Sequence, residues 1–373
     1  MNHQEDKNNI ITLSGNSIDV GLYAKFLGKT FAATRFKKLG KLGGGSSRAE
    51  DLETKEIVAI KLAKISESDK RDGVPVTALR ELTILQTLRH KNVVSVLGVA
   101  VGVPTIDNIY MVLEYVEHDL ANLLDFAHAS FTASEVKCLM KQLFQGLAYI
   151  HDRGIIHRDI KMANLLLSSR GILKIADFGL ARDYTNHGRA LTPGVVTIWY
   201  RSPELLFGEK HYTSAIDIWS SGCIMGELIL RKPLVPGKTE ISQMNCIVDL
   251  LGPPTDKIWP GFRKLPYSKS FKFNGMKFNQ LDRVFSGQRK DLVDMINDLL
   301  TYDPTKRITA LKALEHHYFK QHPLAVDPVL LPTFPNVSNS DNSEIDQHRK
   351  KKVKTEKYSF EIDEKEALSV YKN

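Results

Sequence analysis

The sequence predicts an α+β chain in two unequal lobes: a small β-rich lobe with one helix, then a larger, mainly helical lobe. Three observations lead there. Short β-branched and apolar runs crowd into residues 36–116, with Ile57-Val58-Ala59-Ile60-Lys61 the clearest of them. From residue 117 onward apolar residues recur at helical spacing instead. The chain has 373 residues, more than one small core needs.

Residues 1–35 show no clear period and are expected to form an N-terminal extension. The small lobe is expected over 36–116, beginning with short strands from Phe36 to Ala63. Val76, Leu79, Leu82, Leu85 and Leu88 then recur every third residue beside Ile84, which predicts a helix with Pro75 in its first turn. Val93–Val101 and Ile109–Tyr115 read as two more strands. In the large lobe, over 117–323, the stretch Glu135–His151 puts Val136, Leu139, Leu143, Leu147 and Ile150 on one helical face. Asp217–Leu230 and Asp291–Leu300 also read as helices. Residues 324–373 are expected to be a tail. From about Asn336 it is rich in Ser, Asn, Asp, Glu and Lys, carries eight basic and eight acidic residues, and should be largely disordered.

With 42% hydrophobic and 25% charged residues, the composition excludes wholesale disorder and collagen-like repeats. Three cysteines, Cys138, Cys223 and Cys246, are too few for a disulfide framework and suit a reducing compartment. The N-terminus is polar, and no apolar run approaches the roughly 18 residues of a membrane span, so a soluble intracellular protein without membrane contact is expected. The net charge of +8 weakly favours anionic partners.

The strongest local signal is His157-Arg158-Asp159-Ile160-Lys161-Met162-Ala163-Asn164. Five fixed residue types at these spacings arise by chance in about 10^-4 of random chains of this length. Asp177-Phe178-Gly179 follows 18 residues after Asp159, behind the strand-like Leu173-Lys174-Ile175-Ala176. Val58-Ala59-Ile60-Lys61 lies upstream on a predicted strand, and Ser202-Pro203-Glu204 lies downstream. The ordered set resembles the protein-kinase signature, over roughly Phe36 to Phe319.

The resemblance implies the bilobal kinase fold and transfer of the ATP γ-phosphoryl group. That reaction needs charge neutralisation and in-line positioning more than covalent help. Lys61 would meet the α- and β-phosphates, with Glu81 on the following helix holding its flexible stem. Asn164 and Asp177 are hard oxygen donors for Mg²⁺. Asp159 would accept the substrate hydroxyl proton, and Lys161 would steady the transferring phosphoryl group. Leu113 takes the gatekeeper place, Glu114 and Val116 offer hinge backbone groups to adenine, and Ala59 and Leu166 sandwich the ring. Leu42, Gly43, Gly45 and Asp119 complete the implied ATP site.

Gly73-Val74-Pro75-Val76-Thr77-Ala78-Leu79-Arg80-Glu81 resembles the cyclin-contacting helix of cyclin-dependent kinases, so a cyclin is the implied partner at residues 75–81. The segments 191–201 and 236–261 resemble the same family. Glu117-His118-Asp119-Leu120, Lys257-Ile258-Trp259-Pro260-Gly261-Phe262 and Pro332-Thr333-Phe334-Pro335 are similar to the PISSLRE and PITSLRE subgroup, cyclin-dependent kinases ten and eleven. By position Thr192 is the phosphorylated threonine, and Arg80, Arg158 and Arg182 match the three arginines that gather around its phosphate. Val195 and Arg201 match positions that favour proline after the phosphorylated Ser or Thr. Glu204 is expected to pair with Arg307. Asp217 either braces the catalytic loop or caps its own helix. A mitogen-activated kinase is disfavoured, because Thr192-Pro193-Gly194 stands where a Thr-x-Tyr pair would be.

The nucleotide-covering loop departs from the family pattern G-x-G-x-x-G-x-V. Gly43 and Gly45 fit its first two glycines, but the third glycine and the valine are missing, and the segment is about four residues short. Weaker ATP binding or slower transfer follows as an expectation. So does a rival reading, a catalytically impaired pseudokinase scaffold that binds a cyclin. A role in cell-cycle or transcription control is implied. The basic run at residues 349–354 hints at nuclear import, giving a nuclear and/or cytoplasmic location. No aromatic residues interleave with it, and specific nucleic-acid binding is not expected.

Overall fold

The computed structural model describes residues 9–11, 17–19, 29–43, 45–63, 76–102, 109–125, 129–184, 196–271, 273 and 278–334. Strands β1 (Asn9–Ile11) and β2 (Ser17–Asp19) pair antiparallel, with Ile10 opposite Ile18. The small lobe is built on a six-stranded sheet. Its strands are β3 (Thr30–Ala32), β4 (Phe36–Gly43), β5 (Ser46–Asp51), β6 (Ile57–Ala63), β7 (Val96–Val101) and β8 (Ile109–Glu114), in the order β3-β7-β8-β6-β5-β4. Thr30–Ala32 joins β7 in parallel, so residues 30–35, read from the sequence as extension, belong to the folded lobe.

Alternation sorts the faces of this sheet. Val58 and Ile60 point outward into a small cluster with Phe36, Ala49, Ala100 and Val112. Ala59 and Lys61 lie on the opposite face, towards helix α1 (Val76–Thr87) and the large lobe. Leu82 and Leu85 of that helix, and Leu88 just after it, are buried in the main core as their period predicts. Residues 92–94 do not extend β7. Val94 N donates to Ile175 O at 2.9 Å and Ile175 N to Asn92 O at 2.9 Å, so this stretch stitches the small lobe to a strand of the large one.

The large lobe begins with β9 (His118–Asp119) and α2 (Leu120–Asp125). Helix α3 (Ala133–Asp152) starts two residues before its apolar period does. Thr132 caps it: Glu135 N donates to Thr132 Oγ1, and Thr132 N donates back to Glu135 Oε2 at 2.7 Å. Its expected face, Val136, Leu139, Leu143, Leu147 and Ile150, is fully buried. Strands β10 (Ile155–Ile156), β11 (Leu165–Leu167), β12 (Leu173–Ile175) and β13 (Arg182–Asp183) follow. Together β12, β11 and β9 make a three-stranded sheet, and β10 pairs with β13. Helices α4 (Pro203–Leu206), α5 (Ala215–Leu230), α6 (Glu240–Leu251), α7 (Leu281–Val284), α8 (Lys290–Leu299) and α9 (Ala310–Glu315) complete the lobe. α5 is buried on nearly every side, which suits its nearly continuous apolar sequence. Residues 324–334, read as the start of a tail, pack on this lobe: Leu331 is buried and Phe334 touches the main core. Among the described residues no helix is long and apolar enough to cross a membrane.

Glu204 and Arg307 form the expected pair. The guanidinium donates from Nη1 and Nη2 to the two carboxylate oxygens at 2.7 and 2.9 Å, both side chains being fully buried. Its remaining donors reach the carbonyls of Ala215, Thr301 and Tyr302. A buried pair so satisfied is costly to break from one side. Arg307→Met alone is expected to lower unfolding stability by about 3–5 kcal/mol in a urea titration, whereas adding Glu204→Leu should recover part of that loss.

Candidate active site

Lys61 carries the charge that organises the cleft. It stands on the inner face of β6, and its Nζ donates to Glu81 Oε1 at 2.7 Å and to Asp177 Oδ1 at 2.6 Å. Glu81 comes from α1 and Asp177 from the loop after β12, so one cation joins three separate elements. Burial works against the ammonium charge, but the two carboxylates outweigh it and hold Lys61 above the ordinary lysine value. Burial pushes Glu81 up in spite of Lys61. For Asp177 burial also opposes ionisation, but Lys61 wins and keeps it below the usual aspartate range. At 44% side-chain exposure Asp177 remains open to the cleft, while Glu81 is 6% exposed and faces inward.

The loop from His157 to Asn164 holds a second group. Lys161 Nζ donates to Asp159 Oδ2 at 2.7 Å, and Asn164 Nδ2 donates to Asp159 O at 2.8 Å and to Oδ2 at 3.0 Å. Thr197 Oγ1 donates to Asp159 Oδ1 at 3.3 Å. Asp217 settles its own alternatives: it is no helix cap but a brace. Buried on α5, its carboxylate accepts from His157 N and Arg158 N, each at 2.9 Å, and meets His151 Nε2 at 2.9 Å. Burial opposes its ionisation, yet these partners keep it below the usual carboxylate range. The brace has a strain to hold, because Arg158 has φ 68° and Asp177 φ 64°, a left-handed backbone that side chains disfavour.

Asn164 and Asp177 are the pair implied for a divalent cation. Asn164 commits Nδ2 to Asp159 and Asp177 commits Oδ1 to Lys61, which leaves one hard oxygen on each. Two such donors fit Mg²⁺, which keeps water and takes further ligands from phosphates. Among the described residues no group of three or more His, Cys, Asp or Glu could hold a metal. Of the adenine-side residues, Ala59 pairs with Leu113 across β6 and β8, and Leu166 pairs with Asp119 across β11 and β9. Val116 is buried between β8 and β9. Glu114 sits at the end of β8, its side chain accepting from Lys174 Nζ at 2.8 Å and Ser95 N at 2.7 Å.

The remaining predicted residues form the outer rim. Arg158 donates to Leu180 O and to Tyr212 OH, each at 2.7 Å. Burial, then the positive neighbours Arg158 and Arg80, push Arg182 down to about 10. Thr192 and Val195 lie outside the described residues. Arg201 donates from Nε and Nη2 to Val196 O at 3.3 and 3.0 Å and pairs with Glu240 at 2.6 Å. Thr197, Tyr212 and His151 were not singled out from the sequence. No periodicity or spacing marks them, since each meets its partner across 38 to 66 residues of chain.

With this geometry in hand, comparison with known proteins is decisive. Residues 34–319 match the protein kinase domain family. The chain belongs to the protein kinase family. It is 44% identical over 317 residues to cyclin-dependent kinase 10 of Mus musculus, covering 84% of this chain and 87% of that protein. It is 47% identical over 289 residues to cyclin-dependent kinase 11B of Homo sapiens, covering 77% of this chain but 36% of that protein. Among solved structures, a chain of the yeast RNA Pol II CTD kinase CTDK-1 complex superposes with a TM-score of 0.74 at 32% identity, covering 82% of this chain and 99% of that one. A chain of the CAK complex of Chaetomium thermophilum bound to ATP-gamma-S gives 0.73 at 36% identity, covering 81% and 96%. The expectation of a serine/threonine kinase of the cyclin-dependent kind is thus met at the level of the family.

Against that family the shortened loop has a definite shape. Just before β5, Gly45 has φ +84°, a turn conformation that glycine adopts without strain. Gly43 pairs with Ser46, and Ser46 pairs with Lys61, so the hairpin ends abreast of the lysine. The cleft-facing residues of β5 are Ser46 and Arg48, opposite Lys61 and Ala59, and neither is apolar. Leu42 is 42% exposed on the facing strand. On this face β5 therefore offers no apolar side chain beside Lys61.

Two outcomes follow. The KM for ATP should be high, about 1 mM, and rebuilding the loop to the spacing G-x-G-x-x-G-x-V should lower it about tenfold in steady-state assays. The second concerns Glu227, which accepts from Tyr200 OH at 2.8 Å beneath the Val196–Arg201 segment and is pushed up to about 7 by burial, Asp125 adding to the effect. A carboxyl raised in the folded state binds its proton more tightly there, so stability falls as pH rises from the ordinary glutamate value through about 7. Glu227→Gln should flatten this slope in thermal unfolding followed between about pH 5 and pH 8.

Proposed function

We propose that this kinase transfers the γ-phosphoryl group of ATP to Ser or Thr followed by Pro in protein substrates, under the control of a cyclin bound at residues 75–81. The observation that carries the reading is Lys61 held between Glu81 and Asp177 while Asp159 stands ready beside Lys161. The substrate hydroxyl attacks the γ-phosphorus as the bond to the β-phosphate oxygen breaks, and its proton passes to Asp159. Lys61 orients the α- and β-phosphates, and Lys161 balances charge on the transferring group. Mg²⁺ bound by Asn164 and Asp177 would neutralise phosphate charge. The proline preference is supported by Arg201, which occupies Val196 O: a following residue with an N–H would find that acceptor taken, and proline has no N–H to satisfy.

A cyclin pressing on α1 would stabilise the contact from Glu81 to Lys61, and phosphate on Thr192 would neutralise the arginine cluster. A role in cell-cycle or transcription control rests on the family alone, and a nuclear location on the run at 349–354, outside the described residues. The pseudokinase reading is not favoured, since Lys61, Asp159, Asn164 and Asp177 are all retained, with Lys61 on Asp177 and Asn164 on Asp159. Asp159→Asn, assayed with labelled ATP in the cyclin complex, should lower kcat by about 10²–10⁴ while leaving the melting temperature near wild type. An unchanged rate would remove Asp159 from its role as base.

A further inference from the structure

We infer that Phe334 is a positioning residue for the nucleotide, acting through the three-stranded sheet β12-β11-β9. The inference rests on the reading of this cleft as an ATP site. Two stretches singled out from the sequence, Glu117-His118-Asp119-Leu120 and Pro332-Thr333-Phe334-Pro335, meet in space although more than two hundred residues separate them. The Phe334 ring lies 6.1 Å from the His118 ring at 75° and 6.2 Å from the Phe131 ring at 72°, both edge-on contacts of the favourable kind. His118 is buried and forms β9 with Asp119. β9 pairs with β11 through Leu167 opposite His118 and Leu166 opposite Asp119. Phe334 is therefore one residue and one ladder rung away from two groups of the proposed ATP site.

The segment that delivers Phe334 is tied down along its length. Lys137 Nζ donates to Gln321 O at 2.7 Å, and Val326 N donates to Ser134 O at 3.3 Å. Pro328 then crosses the turn between β11 and β12 so closely that a Cβ at Gly171 would lie 1.7 Å from Pro328 O. Leu331 is buried just before the end. The segment thus touches the sheet at β9 and at the turn between β11 and β12. Removing the Phe334 ring leaves His118 without its edge contact and frees β9 to shift, and Asp119 and Leu166 with it. Asp159 and Lys161 are braced from elsewhere, through Asp217 and Asn164. The loss should fall on nucleotide binding and spare the chemical step.

The test compares Phe334→Ala, Phe334→Tyr and Gly171→Ala in the full chain with its activating cyclin, reading kcat, the KM for ATP, the KM for peptide, and melting temperature. The expected result for Phe334→Ala is a rise in the KM for ATP of about 3- to 10-fold, with kcat and the peptide KM within about twofold. Phe334→Tyr, which keeps the ring, should restore the wild-type KM. Gly171→Ala, which displaces Pro328 without touching the ring, should reproduce the defect. An unchanged KM for ATP, or kcat and melting temperature falling together with it, overturns the inference alone. A wild-type chain that gains no thermal stability from Mg-ATP overturns the ATP reading, and this inference with it.

Discussion

One ammonium group sets how the two lobes meet at the cleft. Lys61 is set in the small lobe, one of its carboxylate partners is on a helix of that lobe, and the other is in the large lobe. A lysine so placed and left alone would be strongly disfavoured, and so would Glu81 at its burial. Their mutual attraction turns two unfavourable burials into one fixed geometry. It also sets the register of the cleft, because β6, α1 and the loop after β12 must all reach the same point.

The large lobe solves a complementary problem. Asp159 and Asp177 are carried on loops with left-handed backbone at Arg158 and Asp177, a conformation that would relax if it were free to do so. At Arg158 Asp217 prevents this from below by taking two consecutive backbone amides and His151 with one carboxylate, while Asp177 is held by Lys61. It can do so only because α5 is rigid and buried nearly all round. Strain at the site is thereby tied to the best-packed element of the fold, a common division between a stiff scaffold and exposed reacting groups.

The departure from the family sits where it does least harm to folding. The shortened β4–β5 hairpin still pairs up to Gly43 opposite Ser46, with register shifts between Lys38 and Gly40 and between Lys41 and Gly43, and β5 keeps its full pairing with β6. On the reading of this cleft as an ATP site, the shorter loop gives less cover over the nucleotide while the charged groups beneath remain assembled, so its expected effect is on affinity more than on chemical competence.

Much of this was legible in the sequence. The helical period over 136–150 and the β-branched run at 57–61 reflect burial on one face, a local property that leaves a periodic trace. Lys61, Asp159, Asn164 and Asp177 were picked out by their resemblance to the protein-kinase signature, and the structure brings Lys61 to Asp177 and Asn164 to Asp159. The strand at Thr30–Ala32 was not, since three residues pairing in parallel with β7 carry no period of their own. Nor were Thr197 on Asp159, His151 on Asp217 or Phe334 on His118. Such contacts depend on where two distant stretches of chain cross, and composition holds no record of that. Sequence alone determined the elements that carry a period of their own and which chemical groups are present; the tertiary packing decided the short paired strands and which of those groups meet, because both are fixed by burial and hydrogen bonding across the whole fold.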